Sequence, residues 1–503
     1  MAYMRGWAQS ITAALLVVLV ATLATVTANG DGTTADSVSL VQTTQDPSRT
    51  ADAKASRPNV VFVLTDDMRD DDLDRMPITR RLLADEGMEF TDAISPHPLC
   101  CPARAQLATG QYAQNNGVQH NRGVHGGFQA LDPTHEASSW FRDAGYRTGF
   151  VGKFLNGYGP RDVRPAGWTR WDALTRGVYD YVDFSMTGDG DPQRYTDSYI
   201  TSVIEKHTND DVRDFAATGD PFVVYAWHLA PHYRISPEGG RGLPPAAPQD
   251  EGMFRDDRPA SFDDPAFNED DVTDQPAYLR HLSPVSPAEV SAENTARLEA
   301  LQSVDRAVGS LVETLDEQGV LDDTYIVFSS DNGYSLGEHR FVGKDVLTDE
   351  ALQVPLLVRG PGIAPGSTSD LPVTLVDLPA TFAALTGVSP AWQVDGTSLL
   401  PTLRGQDQDF RDTTLIQTGR TLGDGWSHRG VRTSRYLYGT DGTDGFLYDL
   451  LLDPDEMVNR IDDPDYAEVQ TALELRRSEL VTCAGWTCNQ VFGPVPDPSS
   501  PTP

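Results

Sequence analysis

The stretch Asn59-Val60-Val61-Phe62-Val63-Leu64-Thr65 is a short, continuous apolar run, and it ends in the acidic pair Asp66-Asp67. An unbroken apolar run of this length is typical of a strand that is buried on both faces of a parallel sheet. In open α/β sheets, ligands bind beyond the carboxyl ends of such strands. The stretch therefore predicts an α/β fold with polar, potentially reactive groups at one edge of its sheet.

Further runs repeat this arrangement of a buried strand that finishes in polar residues. One covers residues 146–153 and ends in Gly152-Lys153, one covers 221–227 and leads to His232, and one covers 324–330 and precedes Asp331-Asn332. Helical patterns at about 76–86, 287–318 and 378–385 alternate with the strands. This alternation is typical of an α/β domain, in which helices flank a sheet of buried strands. The same edge of that sheet would gather Asp66, Asp67, Lys153, His232, Asp331 and Asn332.

The pattern of apolar runs in the sequence changes at about Leu400. Shorter strand-like runs at 414–417, 430–433 and 435–438 are followed by Asp-Gly turns, which favours a smaller antiparallel-sheet subdomain. Cys483 and Cys488 could close a small disulfide loop, and we prefer a disulfide to a zinc site because no second ligand pair lies nearby. We thus expect a catalytic domain at 58–400, a C-terminal subdomain at 401–482, and a disulfide loop and tail at 483–503.

The N-terminus has the features of an export signal. Arg5 precedes an apolar run at 11–23 and the small-residue site Val26-Thr27-Ala28, which predicts a signal peptide at 1–28 that is cleaved near Ala28. The run is shorter than the roughly 20 residues of a membrane span, so we expect a secreted protein without a stable membrane anchor. Residues 29–57 are rich in Thr, Ser, Asp and Ala, which predicts a disordered linker.

Composition narrows the function classes. The chain has 503 residues, of which 39% are hydrophobic and 22% charged, as expected for a globular protein. Its formal net charge of −35 argues against nucleic acid or an anionic membrane surface as a partner.

The segment Leu99-Cys100-Cys101-Pro102-Ala103-Arg104-Ala105-Gln106-Leu107-Ala108-Thr109-Gly110 combines a reactive side chain, a helix start and a cation. Pro102 suits the first turn of a helix, which places Cys100 at the positive end of the helix dipole. Arg104 follows one turn later, so the segment is suited to meeting an anion.

The acidic pairs Asp66-Asp67 and Asp331-Asn332 offer only oxygen ligands, which select Ca²⁺ or Mg²⁺ over zinc or copper. Taken singly, Asp and Asn after a strand most often form turns or helix caps. Two such pairs at the ends of two buried strands favour a site for a hard divalent cation.

The spacing Cys100-x-Pro102-x-Arg104, followed by Leu107, Thr109 and Gly110, resembles the signature of the sulfatase family. The doubled cysteine and the pattern Lys153-x-Leu155-Asn156 resemble the branch that removes the 6-sulfate from N-acetylglucosamine in glycosaminoglycans, although Ala103 replaces the serine usual there. The resemblance extends from about Pro58 to Asn459 and implies an alkaline phosphatase/sulfatase-like α/β fold, with a large mixed, mainly parallel sheet flanked by helices. A C-terminal antiparallel-sheet subdomain belongs to the same pattern.

The resemblance also implies the cofactors and residue roles of a sulfatase. Cys100 would be oxidised to formylglycine by a formylglycine-generating enzyme, and one Ca²⁺, with Mg²⁺ as an alternative, would be bound by Asp66, Asp67, Asp331, Asn332 and residue 100. Arg104 would hold the nucleophile and the carboxylates in place. Lys153, Lys344 and Asn156 would contact the substrate, and His232 would do so while protonating the departing alcohol.

In the mechanism that this resemblance implies, the formylglycine hydrate attacks sulfur and expels the alcohol, and sulfate is then eliminated as the aldehyde reforms. A sulfated polysaccharide is itself a polyanion, so we expect the acidic chain to confine positive charge to a pocket for a small ester or a chain end. Two alternatives are a phosphodiesterase or phosphonate monoester hydrolase of the same superfamily, and an inactive glycan-binding protein. His120, Asn121 and His339 could line the pocket, and Cys101 has no evident partner.

Overall fold

The computed structural model describes residues 57–188, 192–236, 239–420 and 425–499. The predicted signal peptide and all of the predicted linker except Arg57 lie outside these residues. Among the helices of the described ranges, none is both long and apolar enough to cross a membrane.

The main sheet contains ten strands in the described part of the chain. They are β1 (Asn59–Asp66), β2 (Met88–Phe90), β3 (Arg147–Gly152), β4 (Arg170–Arg176), β5 (Asp183–Met186), β6 (Gln193–Thr196), β7 (Phe222–Pro231), β8 (Thr324–Ser330), β9 (Leu356–Arg359) and β10 (Ser367–Ser369). Their order across the sheet is β10-β2-β9-β8-β1-β7-β3-β4-β5-β6.

The middle of this sheet is parallel and its flanks are mixed. Strands β8, β1, β7, β3 and β4 pair in parallel, whereas β9 runs antiparallel to both β8 and β2. On the other flank, β5 runs antiparallel to β4 and β6. The predicted large mixed, mainly parallel sheet is confirmed.

Five helices of at least ten residues are described: α1 (Cys100–Thr109), α2 (Ile200–Ala216), α3 (Pro287–Glu317), α4 (Asp377–Thr386) and α5 (Ala467–Leu480). Short α-helical segments occupy Pro77–Thr79, Ala113–Asn116, Ser138–Asp143, Asp349–Leu352 and Leu400–Leu403. The helix predicted at about 76–86 is a composite, because Pro77–Thr79 continues as a π-helical turn over Arg80–Ala84.

Strand β1 explains why the fold has two layers of helices. Its side chains alternate, so Val60, Phe62 and Leu64 pack in one core with residues of α1 and α4. Val61 and Val63 point the other way, into a core that includes residues of α2 and α3. Both faces are therefore covered, as the continuous apolar run of β1 requires.

The C-terminal region forms a second sheet. Strands β11 (Thr414–Gly419), β12 (Trp426–Arg432), β13 (Tyr436–Thr440) and β14 (Gly445–Asp449) pair antiparallel in sequence order. Helix α5 contributes Val469 and Leu473 to the core beneath this sheet. The predicted antiparallel sheet is confirmed, and the predicted disulfide between Cys483 and Cys488 is present.

Three short strand pairs lie outside the two larger sheets. They join Ala93–Ile94 with Val373–Thr374, Arg234–Ile235 with Arg241–Gly242, and Ser335–Leu336 with Val342–Gly343. The last two pairs lie in segments that follow β7 and β8, so they bring loop residues to the carboxyl edge of the main sheet.

We expect the Phe62→Ala substitution to lower the free energy of unfolding by about 3–5 kcal/mol, because it empties a fully buried site. The Phe62 ring contacts the rings of Tyr225 and Trp227 on β7 and of Phe382 on α4, so the cavity cannot close without moving the sheet or α4. Urea denaturation followed by tryptophan fluorescence measures the change. Val163→Ala, at a residue that is 70% exposed, is the control and should change stability by at most about 0.5 kcal/mol. Equal effects of the two substitutions would contradict this packing.

Candidate active site

The chemistry-bearing side chains meet at the carboxyl edge of the main sheet, as the sequence predicts. Strand β1 ends at Asp66 and is followed by Asp67, and β8 is followed by Asp331 and Asn332. Lys153 follows β3 directly, and His232 follows β7. Each of these side chains is almost completely buried.

Helix α1 begins at Cys100 and brings a fully buried arginine to the same place. Arg104 donates from Nε to Asp331 Oδ2 at 2.8 Å and from Nη2 to Asp66 Oδ2 at 3.1 Å. Its Nη1 donates to the backbone oxygen of Lys153 at 2.6 Å. Burial alone would lower the pKa of Arg104, but Asp331 and Asp66 outweigh it and raise the pKa. The guanidinium therefore ties together the ends of β1, β3 and β8.

Asp67 has an unusual backbone conformation, because its φ of 70° lies in the left-handed region that residues other than glycine seldom adopt. Its N–H donates to Asp331 Oδ1 at 3.1 Å, and its carbonyl accepts a hydrogen bond from Arg297 Nη2. Arg297 belongs to α3 and is buried, and nothing in the spacing of that helix singled it out. Its contact fixes the backbone that aims the Asp67 carboxylate.

The oxygens at this edge fit a hard divalent cation. Asp67 Oδ2 and Asn332 Oδ1 are buried and make no hydrogen bond to any described residue. Ligand atoms of Asp66, Asp67, Cys100 and His232 all lie within 4.8 Å of one another. Buried oxygens without partners are costly unless an ion binds them. Asp66, Asp67, Asp331 and Asn332 could therefore hold Ca²⁺ or Mg²⁺.

Two lysines lie close to residue 100 or to its carboxylate neighbours. Lys344 Nζ contacts Asp67 Oδ1 and lies 2.8 Å from Cys100 Sγ, and Lys153 Nζ contacts Asp66 Oδ2. Cys100 Sγ is itself 3.5 Å from Asp66 Oδ1. Burial, with Asp66 adding to it, raises the pKa of the Cys100 thiol to about 12. Residue 100 thus lies where cations and carboxylates meet.

A cleft of about 480 Å³ opens onto these groups. Lys344, His232 and Asn156 line it, and Tyr179 forms part of its wall. Tyr179 donates from its hydroxyl to Asn156 Oδ1 at 2.6 Å, and its ring centroid lies 4.6 Å from that of His232. Sequence reasoning missed Tyr179, because it lies in a loop without a motif.

His232 has one ring nitrogen toward the acidic cluster and the other toward the backbone. Nε2 lies 3.7 Å from Asp67 Oδ2, and Nδ1 lies 2.7 Å from the carbonyl oxygen of Tyr233. The Tyr181 hydroxyl donates to the His232 carbonyl at 2.6 Å. These contacts orient the imidazole at the end of β7.

The second cysteine contacts the loops around the cleft. The Cys101 N–H donates to Asn121 Oδ1 at 2.8 Å, and the Asn156 N–H donates to Cys101 Sγ at 3.1 Å. His120 and Asn121 line the cleft, whereas His339 lies against Glu269 with Nδ1 2.8 Å from Oε2. Cys101 therefore has partners that its sequence position did not reveal.

Buried cations beside oxygens that lack partners, at the carboxyl edge of an α/β sheet, suit the binding of an oxyanion ester next to a metal ion. The chain belongs to the sulfatase family: the family model described as Sulfatase matches residues 58–388. A second model, described as N-sulphoglucosamine sulphohydrolase, C-terminal, matches residues 337–482. The chain is accordingly a sulfuric ester hydrolase.

Individual relatives agree with this family. The chain is 31% identical over 513 residues to the human protein named N-acetylglucosamine-6-sulfatase, and the match covers 88% of each chain. It is 34% identical to the Drosophila melanogaster protein named extracellular sulfatase SULF-1 homolog, with 72% of this chain but only 32% of that protein covered.

A solved structure described as BT4656 in complex with its substrate D-glucosamine-2-N,6-O-disulfate shares the fold. It has a TM-score of 0.71 and 23% sequence identity, and the match covers 84% of this chain and 97% of the other.

We expect Arg104→Met to lower the free energy of unfolding by about 3–5 kcal/mol, because it leaves Asp66 and Asp331 buried without their cation. Urea denaturation of the purified variant measures the loss. Arg142→Met is the matched control, since Arg142 forms an exposed pair with Asp143 that contributes at most about 1 kcal/mol. A loss for Arg104→Met as small as that for the control would show that the buried pairs do not stabilise the fold.

Proposed function

We propose that this protein is a secreted sulfatase that removes the 6-sulfate from N-acetylglucosamine units of glycosaminoglycans. We infer that it uses formylglycine derived from Cys100 together with one divalent cation. The observation that carries this proposal is the convergence of Asp66 and Asp67 on residue 100, with Asn332 donating to Asp67 Oδ1 at 2.9 Å. Two oxygens of this group, Asp67 Oδ2 and Asn332 Oδ1, lack partners among the described residues. The substrate is suggested by the name of the human relative, which matches over most of both chains.

The groups that hold the cofactors would be those at the ends of β1 and β8. Asp66, Asp67, Asp331 and Asn332 would hold the divalent cation, and the donor set of oxygens favours Ca²⁺ or Mg²⁺. When bound, the cation would supply Lewis-acid chemistry, and the hydrate of formylglycine at residue 100 would supply the hydroxyl that attacks sulfur. Arg104 balances the charge of Asp66 and Asp331 and keeps them in place.

The remaining residues would bind and orient the sulfate group. Lys344 Nζ lies 2.8 Å from Cys100 Sγ, and Lys153 contacts Asp66, which is itself 3.5 Å from that sulfur. Both lysines could therefore contact the sulfate oxygens and the leaving oxygen. His232 lines the cleft beside them and is our candidate for protonating the departing alcohol. Charge that spreads over the sulfate oxygens in the transition state would be stabilised by these fixed cations.

The cleft suits a sugar at the end of a chain. Its volume of about 480 Å³ is in the range of small-ligand sites. Asn156, held by the Tyr179 hydroxyl, offers amide groups that could bind a sugar hydroxyl, and the Tyr233 ring lines the cleft nearby. The formal net charge of the whole chain, −35, opposes close contact with the interior of a long polyanion.

The test is hydrolysis of N-acetylglucosamine 6-sulfate by protein produced together with a formylglycine-generating enzyme. We expect sulfate release, and we expect Cys100→Ala to abolish it by removing the nucleophile precursor. Mass analysis of the peptide containing residue 100 verifies that the aldehyde is present in the active sample.

Matched aryl sulfate and phosphodiester substrates distinguish the family alternatives. Faster phosphodiester cleavage would replace our proposal with a phosphodiesterase. Fully modified protein that binds sulfated sugars but hydrolyses none would instead indicate a glycan-binding protein.

Removal of the divalent cation should abolish turnover and lower the melting temperature, because binding to the folded state stabilises it by mass action. Dialysis against a chelator, followed by differential scanning calorimetry and activity assays, measures both effects. Adding back Ca²⁺ or Mg²⁺ should restore them and shows which ion is preferred. Asp67→Ala should abolish the calcium-dependent rise in melting temperature, whereas Asp322→Ala, on an exposed turn, should not. Full activity of metal-free protein would contradict this proposal.

A further inference from the structure

Two arginines line the catalytic cleft without belonging to the charge network at its floor. Arg122 and Arg241 are both exposed, and both line the same cleft as Lys344 and His232. The chain has 39 basic residues against 74 acidic ones, so two cations beside one cleft are not a general property of its surface.

Arg241 is held in position by aromatic neighbours. Its Nη2 donates to the Tyr334 hydroxyl at 2.8 Å, and its guanidinium carbon lies 4.2 Å from the centroid of the Tyr233 ring. Glu293 lies 3.5 Å from Nη2 and offsets part of its charge. The Nε and Nη1 groups make no hydrogen bond to residues within the described ranges, so they remain available to a ligand.

The loop that carries Arg122 is anchored, whereas the Arg122 guanidinium is not. The preceding residue, Asn121, accepts the N–H of Cys101 at 2.8 Å, which ties this loop to the start of α1. The Arg122 guanidinium itself makes no hydrogen bond or ion pair with any residue that the structure describes. A guanidinium presents paired N–H donors that match a carboxylate or a sulfonate-type anion.

The cations at the floor of the cleft are not available to bind a further anionic group. Arg104, Lys153 and Lys344 each contact a buried carboxylate, and they face residue 100. Charged groups of the substrate other than the reacting sulfate must therefore bind to residues nearer the cleft opening. Arg122 and Arg241 are the guanidinium groups that line the cleft.

We propose that Arg122 and Arg241 form an anion subsite at the opening of the cleft. This subsite binds a second anionic group of the substrate, either an N-sulfo group on the reacting sugar or a carboxylate on its neighbour. The inference rests on the proposed function, because it assumes that the reacting sulfate ester occupies the floor of the cleft. It assigns the substrate class as a sulfated sugar with at least two negative charges.

The test uses calorimetric binding to the Cys100→Ala protein, which cannot turn its ligand over. Three ligands are compared: N-acetylglucosamine 6-sulfate, N-sulfoglucosamine 6-sulfate, and a uronate-containing disaccharide with N-acetylglucosamine 6-sulfate. A charge-assisted hydrogen bond predicts about tenfold tighter binding of at least one dianionic ligand. The two dianions distinguish the N-sulfo group from the carboxylate.

In the same background, Arg122→Gln and Arg241→Gln should each remove most of that preference while leaving the affinity for N-acetylglucosamine 6-sulfate unchanged. Arg81→Gln is the control, because it removes an exposed positive charge outside the cleft. Arg122→Lys should keep part of the preference, since it retains charge but not the paired donors. Raising the salt concentration should reduce the preference.

Two results would overturn the subsite. One is equal affinity for the monoanionic and dianionic ligands, and the other is a preference that survives both glutamine variants. These results differ from a failure of the proposed function, in which the modified wild-type protein releases no sulfate from any of the three sugars.

Discussion

The structure depends on a charge balance buried at the carboxyl edge of the main sheet. Three carboxylates, Asp66, Asp67 and Asp331, meet the cations Arg104, Lys153 and Lys344 in a region that is almost closed to water. Any one of these charges alone would destabilise the fold by several kcal/mol. Their side chains come from five separate segments, so the parallel strand order is what makes the balance possible.

This balance has a consequence for ligand binding. The three negative and three positive groups cancel, which leaves an approximately neutral site in an acidic protein. A bound divalent cation would make the site net positive, and only then would a sulfate monoester be strongly attracted to it. Cofactor and substrate would thus depend on the same carboxylates, while the proposed arginine subsite would bind groups farther from the reacting sulfur.

Much of the fold could be predicted from local pattern. Patterns of neighbouring residues predicted the buried strand β1, the long helix α3 and the Asp-Gly turns of the C-terminal sheet. The structure contains each of these elements. The disulfide follows from two closely spaced cysteines. The π-helical turn at Arg80–Ala84 was not predicted, because its hydrophobic spacing is nearly that of an α-helix.

Site residues could be predicted where a structural rule links a position in the sequence to a position in the fold. Parallel strands end at one edge, so Asp66 and Asp331 could be placed together although 265 positions separate them in the chain. No such rule applies to Arg297, Tyr179 or Arg241, which reach the site through loops or a helix face. The roles of the predicted catalytic and metal-binding residues stay predictions.

The most direct test of the central claim is a crystal structure of the mature protein grown with Ca²⁺. We predict one cation at about 2.3–2.6 Å from oxygens of Asp66, Asp67, Asp331 and Asn332, next to formylglycine at residue 100. A structure with an unmodified thiol at residue 100, no cation between these oxygens, and Lys344 still in contact with Asp67 would contradict the claim.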